Sequence, residues 1–432
     1  MSFRDFLEQR SSEILHVQKP ISKDYEIASF LKQVEPQPVV FEKIKENAYQ
    51  VAGNLFCTKD TIAQYFSVPR QQVLHHIAKA IACPSTPAYV GSPPCQEVVA
   101  DVNLFNLPIL KHFIEDGGPY ITSGIVICKH PKYGQNLDFH RLMVFKTNKM
   151  AVRVVSGRHF DTYLNELGEM EVTVCIGAPP NILLAAATSV ALGVNELTIA
   201  NSMQPFNVAK AMTCDLLIPA EAEFVLEGRV SRFERHSEGP FVDLTETLDV
   251  IRQEPVMTVS AISHRSNPIW HALLPGGLEH KLLMGMPREP TIFQSVNQVV
   301  PCKDVSINPG GCSWLHAIVQ IEKQVEEDGK RAILAAFQGH RSLKHVFVVD
   351  QDIDIYDPLS VEWAMATRFQ GDRDLVILPR ERGSSLDPSA SEENYLTCRV
   401  GFDLTKPLSS KGKSFTKVKY PPISIEKWLN PA

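Results

Sequence analysis

"GQNLDFHRLMV", Gly134 to Val144, is the stretch that decides how the chain is read. Its second half runs on as L-M-V-F, the composition of a strand. Its first half sets Asn136, Asp138, His140 and Arg141 in the same extended run. A core strand excludes an unpaired arginine, because burying a charge is costly unless it is paired. The stretch is therefore an exposed edge, or a strand that lines a polar site.

Around it the chain is rich in short, partly alternating segments. "ITSGIVICKH" (121–130), "LMVFK" (142–146), "MAVRVVS" (150–156), "MEVTVCIG" (170–177), "EFVLEGRV" (223–230) and "VMTVSAIS" (256–263) read as strands. Two helices interrupt them, one after Ser156 and one from about Pro180. Many short strands with few helices predict a barrel or sandwich. Before it, 3–16 reads as an amphipathic helix, 60–84 as helices punctuated by Pro69 and Pro84, and 85–119 as a loop-rich connection. After about 300, "SWLHAIVQIEK", "GKRAILAAFQGH", "HVFVVDQDI", "PLSVEWAMATRF" and "DLVILP" alternate strand and helix, an α/β pattern. The expected fold class is α+β / α/β, with domains at 1–115, 116–305 and 306–432. The basic tail "SSKGKSFTKVKYPP" (409–422) is expected to be extended and to pack on a neighbour.

The 432 residues carry 44% hydrophobic and 21% charged residues, ordinary globular composition. A net charge of −6 supplies no basic excess for nucleic acid. Nine scattered cysteines with no C-x-x-C indicate reduced thiols in a cytoplasm. The N-terminus lacks the apolar core of a signal peptide, and no apolar run approaches a membrane span. The longest, "ILLAAATSVALGV" (182–194), reads as a buried helix. Phosphate-loop, dinucleotide, zincin and nucleophile-elbow signatures are absent.

A set of polar residues remains. Asn136, His159 and Glu196 combine donor types that suit Mn²⁺ or Mg²⁺. Ser156 and Gly157, at a strand-to-helix junction, can present backbone N–H groups to a phosphate. Glu238 and Asp243, bent around Gly-Pro in "EGPFVD", can converge near an arginine, which holds one carboxylate ionised while the other carries a transferable proton. Each has an ordinary reading too. The histidine can be structural, Glu196 a helix N-terminal carboxylate, Glu238 a solvated loop residue and Arg141 a snorkelling edge residue.

Taken together, the set resembles the UbiD decarboxylase family, nearest to its shorter archaeal and bacterial members. The resemblance runs from "RDFLEQ" near the start to "GSSLDPSA" near 390. Asn136 and Arg141 match the family's Asn-x-x-x-x-Arg, His159 and Glu196 its metal residues, and Glu238 and Asp243 its Glu-Gly-Pro-[Phe/Tyr]-x-[Glu/Asp]. "PAEAEFVLEG" (219–228) and "SLKHVFVVDQDID" (342–354) are similar to family segments, with Lys344 matching a lysine that reaches the cofactor phosphate. Two departures stand out: Asp138 replaces a small residue, and Asp243 stands where some members have Glu.

The resemblance implies a central split β-barrel like that of flavin reductases, an N-terminal α/β segment and a C-terminal α/β oligomerisation domain. It implies prenylated FMN, which accepts the electrons left by CO₂ and is supplied by a separate flavin prenyltransferase. The implied cofactor contacts are Asn136, Phe139, His140, Arg141, Ser156, Gly157, Arg158, His159, Glu196 and Lys344. Asn136, His159 and Glu196 would hold Mn²⁺ or Mg²⁺, with K⁺ nearby. Arg141, Glu238 and Asp243 would be catalytic: Arg141 clamps the substrate carboxylate and Asp243 delivers the proton. The implied activity is reversible decarboxylation of a small α,β-unsaturated or aromatic carboxylic acid, by a homodimer or homohexamer. The serines of "ERGSSLDPSA" (381–390) favour a small or polar acid, trans-anhydromevalonate 5-phosphate of the archaeal mevalonate route to isoprenoids. The alternatives are a hydroxybenzoate-type aromatic acid, a non-catalytic FMN-binding protein on the same barrel, and a metal-dependent hydrolase using His159 and Glu196.

Overall fold

The structure is a computed structural model that describes residues 1–391 and 393–409, with 414, 415, 417, 418, 420–424 and 428. Within the basic tail stretch 409–422, residues 410–413, 416 and 419 lie outside the described residues.

The central sheet has nine strands. Its hydrogen-bonded path runs Tyr120–Ile121, Leu142–Lys146, Lys149–Val152, Arg252–His264, Phe224–Glu238, Glu169–Ile176, Ile125–His130, Gly134–Phe139. Val98–Ala100 adds to the Arg252–His264 strand off this path. Gly134–Phe139 ends the path, yet Leu142–Lys146, two residues on, belongs near its other end. His140 and Arg141 thus join the two ends covalently, and the sheet must curl to let them. The ring is not closed by hydrogen bonds among the described strands.

The sheet buries a continuous apolar layer, because its inward positions are Val, Ile, Leu and Met. Val126, Val144, Met150, Val172, Val174, Leu226 and Met257 are all nearly inaccessible. In the opening stretch Leu137 points into the neighbouring core, while Asn136 and Asp138, one residue to either side, face the opposite way.

The N-terminal region packs helices Phe3–Gln9, Glu26–Val34, Lys59–Phe66 and Val73–Ala82 around a four-stranded sheet. The fourth strand of that sheet, Ile269–Ala272, comes from the middle of the chain. The helix expected over 3–16 stops at Gln9. Ser2 and Asp5 form a capping box at its start, and Leu15–Val17 instead pairs in parallel with Val39–Phe41. The apolar run 182–194 is helical only through Ala186. The Thr188 hydroxyl donates to the Leu184 carbonyl at 2.8 Å and occupies the end of that helix.

The C-terminal region has a five-stranded sheet ordered Cys302–Ser306, His316–Ile321, His345–Asp350, Leu396–Asp403, Leu375–Arg382, flanked by helices Asp328–Gly339 and Pro358–Arg368. The five alternating elements occur as the sequence predicts. Strands Cys302–Ser306 and Leu396–Asp403 are additions. No helix among the described residues is long and apolar enough to cross a membrane.

Candidate active site

A cavity of about 720 Å³ opens where the ends of the central sheet meet, and the C-terminal loop Gly383–Leu386 forms part of its wall. Asn136, Phe139, His140, Arg141, Ser156, Arg158, His159, Glu196 and Asp243 line it. The polar half of the opening stretch is therefore a cavity wall rather than an exposed edge.

Arg141 is the most constrained of these side chains. Its Nε and Nη2 donate to the two oxygens of Glu238 at 2.9 and 3.0 Å, a two-bond fork. Its Nη1 donates to Asp243 Oδ2 at 2.8 Å, and Nη2 also donates to Asp249 Oδ2 at 2.8 Å. The guanidinium stacks on Phe241, 4.7 Å from the ring centre. Burial works against its charge, but Glu238, Asp243 and Asp249 outweigh it and hold the group more firmly protonated than usual.

Glu238 is fully buried behind this arginine and does not line the cavity. The Tyr120 hydroxyl donates to its Oε1 at 3.0 Å, which locks the carboxylate from the far side. Asp243 faces the cavity, and its Oδ1 accepts the Leu244 N–H at 2.7 Å. Asp249 and Arg252 complete the cluster through a 2.6 Å contact. Burial pushes Asp249 up, but hydrogen bonds from Arg252 and Arg141 bring it below the usual carboxylate range. Sequence reasoning missed both residues.

Asn136, His159 and Glu196 converge on one wall. Asn136 Oδ1 lies 3.0 Å from His159 Nδ1, and among the described residues its buried Nδ2 has no partner. Glu196 opens helix Glu196–Met203 and accepts the Leu137 N–H at 2.9 Å. Burial pushes its carboxyl up to about 8, against the pull of backbone N–H groups and with a further push from Asp138. Burial holds the His159 imidazole below its ordinary value, and so neutral. A buried carboxylate with no cationic side chain, a neutral imidazole and an amide together fit a hard or borderline cation. Among the described residues no three His, Cys, Asp or Glu side chains cluster as a ready metal site, so a cation held here would need the Asn136 amide as a third protein donor.

Asp138 does not point away. Its Oδ1 meets His140 Nε2 at 2.9 Å, and His140 Nδ1 meets the Arg153 carbonyl at 2.7 Å. Burial pulls His140 down, but Asp138 outweighs it, so the imidazole holds its proton above the usual value. The extra carboxylate at 138 is thus largely neutralised.

Two expected contacts are placed elsewhere. Lys344 does not line the cavity; it meets Asp387 at 3.0 Å and the Ser389 hydroxyl, and that acidic partner satisfies its charge. The Gly157 N–H, expected on a phosphate, donates to Asp161 Oδ2 at 2.8 Å, closing the turn before helix His159–Leu167. Gly157 itself sits at φ +77°, a conformation that favours glycine.

Three family models match the chain: the 3-octaprenyl-4-hydroxybenzoate carboxy-lyase N-terminal domain over 5–81, the Rift-related domain over 88–278 and the C-terminal domain over 281–404. The anhydromevalonate phosphate decarboxylase of Methanothermobacter thermautotrophicus is 41% identical over 418 residues, covering 95% of this chain and 98% of its own. The UbiD-class enzyme HmfF from Pelotomaculum thermopropionicum, solved in complex with FMN, superposes with a TM-score of 0.96 at 34% identity, covering 99% of this chain and 100% of its own. An evolved dimeric form of that enzyme, in complex with prFMN, gives a TM-score of 0.91 at 33% identity over the same shares of both chains.

Proposed function

The chain belongs to the UbiD carboxy-lyase family, and from that premise we propose that it decarboxylates trans-anhydromevalonate 5-phosphate, reversibly, with prenylated FMN. The observation that carries the reading is Arg141 in the cavity wall, forked by buried Glu238 and touched by cavity-facing Asp243. A carboxylate receptor beside an acid is what loss of CO₂ and return of a proton require. The archaeal relative's name and the serine-bearing loop Gly383–Leu386 support the phosphorylated substrate.

When bound, the prenylated flavin would supply the electron sink that side chains lack. Asn136, His159 and Glu196 would hold Mn²⁺ or Mg²⁺ at its phosphate, with K⁺ nearby, while Phe139, His140, Ser156 and Arg158 line its side of the cavity. Arg141 orients the substrate carboxylate. Glu238 is a positioning residue that fixes the guanidinium plane. Asp243 holds the proton that replaces CO₂ on carbon.

In this reading the curled sheet is a split barrel, and the chain divides near residues 115 and 305. A flavin prenyltransferase supplies the cofactor, and the enzyme works in the cytoplasm as a homodimer or homohexamer. The test is CO₂ release from the phosphorylated acid by protein co-expressed with a flavin prenyltransferase. Release from hydroxybenzoates alone would overturn the substrate, and release from neither acid would overturn the activity.

A further inference from the structure

The arginines lining the cavity fall into two groups. Arg141, Arg153 and Arg252 each meet a carboxylate, at 2.8–2.9, 2.9 and 2.6 Å respectively. Arg158, Arg288 and Arg382 meet none among the described residues, Arg158 reaching only the Ser189 hydroxyl. Arg158 and Arg382 are exposed, and solvent covers their charge. Arg288 is largely buried, and its Nε has no acceptor among the described residues. A guanidinium withdrawn from water without an anion is a cost that a bound anion would relieve. Burial, then the like charge of Arg158, push it down to about 10.

The surroundings of Arg288 form a built frame. Its guanidinium lies over the Trp314 ring, 5.2 Å from the centre. The Trp314 indole donates to Ser384 Oγ at 3.1 Å, and the Leu386 N–H donates to the same oxygen at 3.1 Å. The Ser384 oxygen therefore accepts twice, which leaves its O–H as a donor for something else. Arg382, Ser384 and Ser385 line the same cavity, and Trp314 joins Ser384 to Arg288.

The reacting end lies nearer the start of the helical run that carries Arg288. His280 lines the cavity and feels the charges of Asp243 and Arg141. Arg288 follows eight residues later, a helical rise of about 12 Å. One anion cannot answer both ends, whereas an acid with a second anion at its far end can.

We propose that Arg288, with Ser384 and Arg382 beside it, is the receptor for a phosphate monoester at the far end of the substrate, and that it sets specificity for phosphorylated acids. Arg158, adjacent to His159, is left to the cofactor phosphate. The proposal rests on the decarboxylase reading of this cavity. It goes beyond that reading by assigning the selectivity to one unpaired side chain and to a loop of the C-terminal region.

The test uses the full chain loaded with unprenylated FMN, so that binding is measured without turnover. Calorimetry with the phosphorylated enoic acid, and competition by its dephosphorylated counterpart, are run on the parent, Arg288→Ala and Arg288→Lys proteins. Arg288→Ala is expected to weaken the phosphorylated acid roughly 10- to 100-fold, the range for a lost charge-assisted hydrogen bond. The dephosphorylated acid and the FMN content should be unchanged, and Arg288→Lys should recover part of the loss. Equal affinities in the parent and Arg288→Ala proteins would overturn the proposal, as would equal weakening of both acids. Loss of FMN in Arg288→Ala would assign the arginine to the cofactor phosphate and overturn it too. If the parent binds the phosphorylated acid through Arg288 but the prenylated holoenzyme releases no CO₂, the receptor stands and the decarboxylase reading falls.

Discussion

Asp243 and Glu238 share one arginine yet differ in what lies on their other side. Asp243 opens to the cavity, while Glu238 is sealed behind Arg141 by Tyr120. Asp243→Asn keeps the shape but cannot supply a proton, so it should retain flavin and lose turnover by about 10²–10⁴-fold, with exchange against deuterated water falling in step. Near-normal exchange in a flavin-loaded Asp243→Asn protein would move the acid elsewhere. Glu238→Gln should act through Arg141 instead, raising KM for the acid more than it lowers proton exchange. Glu196 gives a pH test in metal-free protein. Its folded value of about 8 lies above the ordinary 4.5, so the folded chain keeps a proton that the unfolded chain releases. Its stabilising contribution is full below about 4.5 and is lost as pH rises through about 8. Urea midpoints of metal-free protein should therefore fall between pH 5 and 9, and Glu196→Gln should flatten that slope. If Glu196 takes Mn²⁺ as proposed, saturating Mn²⁺ should displace the proton and flatten it as well. These residues were legible because the motifs around them are local. Asp249 and Arg252 were not, because Asp249 reaches Arg141 across 108 residues, Arg252 joins only through Asp249, and nothing near "LDVIRQ" announces it. An acid and an arginine three apart, closing a hairpin after "EGPFVD", was the only available signal.

Elements read well from periodicity, and their arrangement did not. Alternation marks a strand wherever it occurs, but the order of nine strands depends on pairings far apart in sequence. The covalent seam at His140–Arg141 shows why this matters, since a polar dipeptide between two strands looked like one continuous strand. Both over-extended helices ended where another partner was better: a parallel strand pairing at Leu15–Val17 and a local hydroxyl cap at Thr188. The two longest strands, Phe224–Glu238 and Arg252–His264, pair antiparallel with a register shift beside Gly228. A Cβ there would lie 2.1 Å from the Thr258 carbonyl oxygen, which is backbone and cannot rotate away. Gly228→Ala should thus cost roughly 1–3 kcal/mol or more, as overpacking does. Chemical denaturation would show it, and an unchanged midpoint would mean that the bulged pairing relaxes freely. Ala at Gly91, where nothing lies within 4 Å, is the matched control and should be nearly silent.

At the scale of the molecule, the cavity needs its C-terminal loop held against the central sheet, and a buried ion pair helps tie the regions together. Lys59 opens an N-terminal helix and Glu289 opens the helix that follows Arg288. Their charges meet at 2.8 Å, with side chains only 6% and 5% exposed. Lys59 also donates to the Tyr356 hydroxyl at 3.0 Å, and that hydroxyl donates to Asp304 at 2.6 Å, which carries the link into the C-terminal sheet. Composition gave no hint of this pair, because lysine and glutamate 230 residues apart read as surface charge. Removing one partner strands the other. Lys59→Met should destabilise by about 3–5 kcal/mol, the usual cost of breaking a buried pair. The loss should depend on pH. Burial already raises the Glu289 carboxyl, and without the lysine it rises further, so the protonated form tolerates the site and the ionised form does not. A raised folded value gives stability that is present at low pH and disappears as pH climbs through it. Lys59→Met should therefore lie close to the parent at pH 5 and well below it at pH 8, as read by urea unfolding. Adding Glu289→Gln to Lys59→Met should restore much of the difference at pH 8. Equal deficits at both pH values would locate the cost in lost packing instead of a stranded charge.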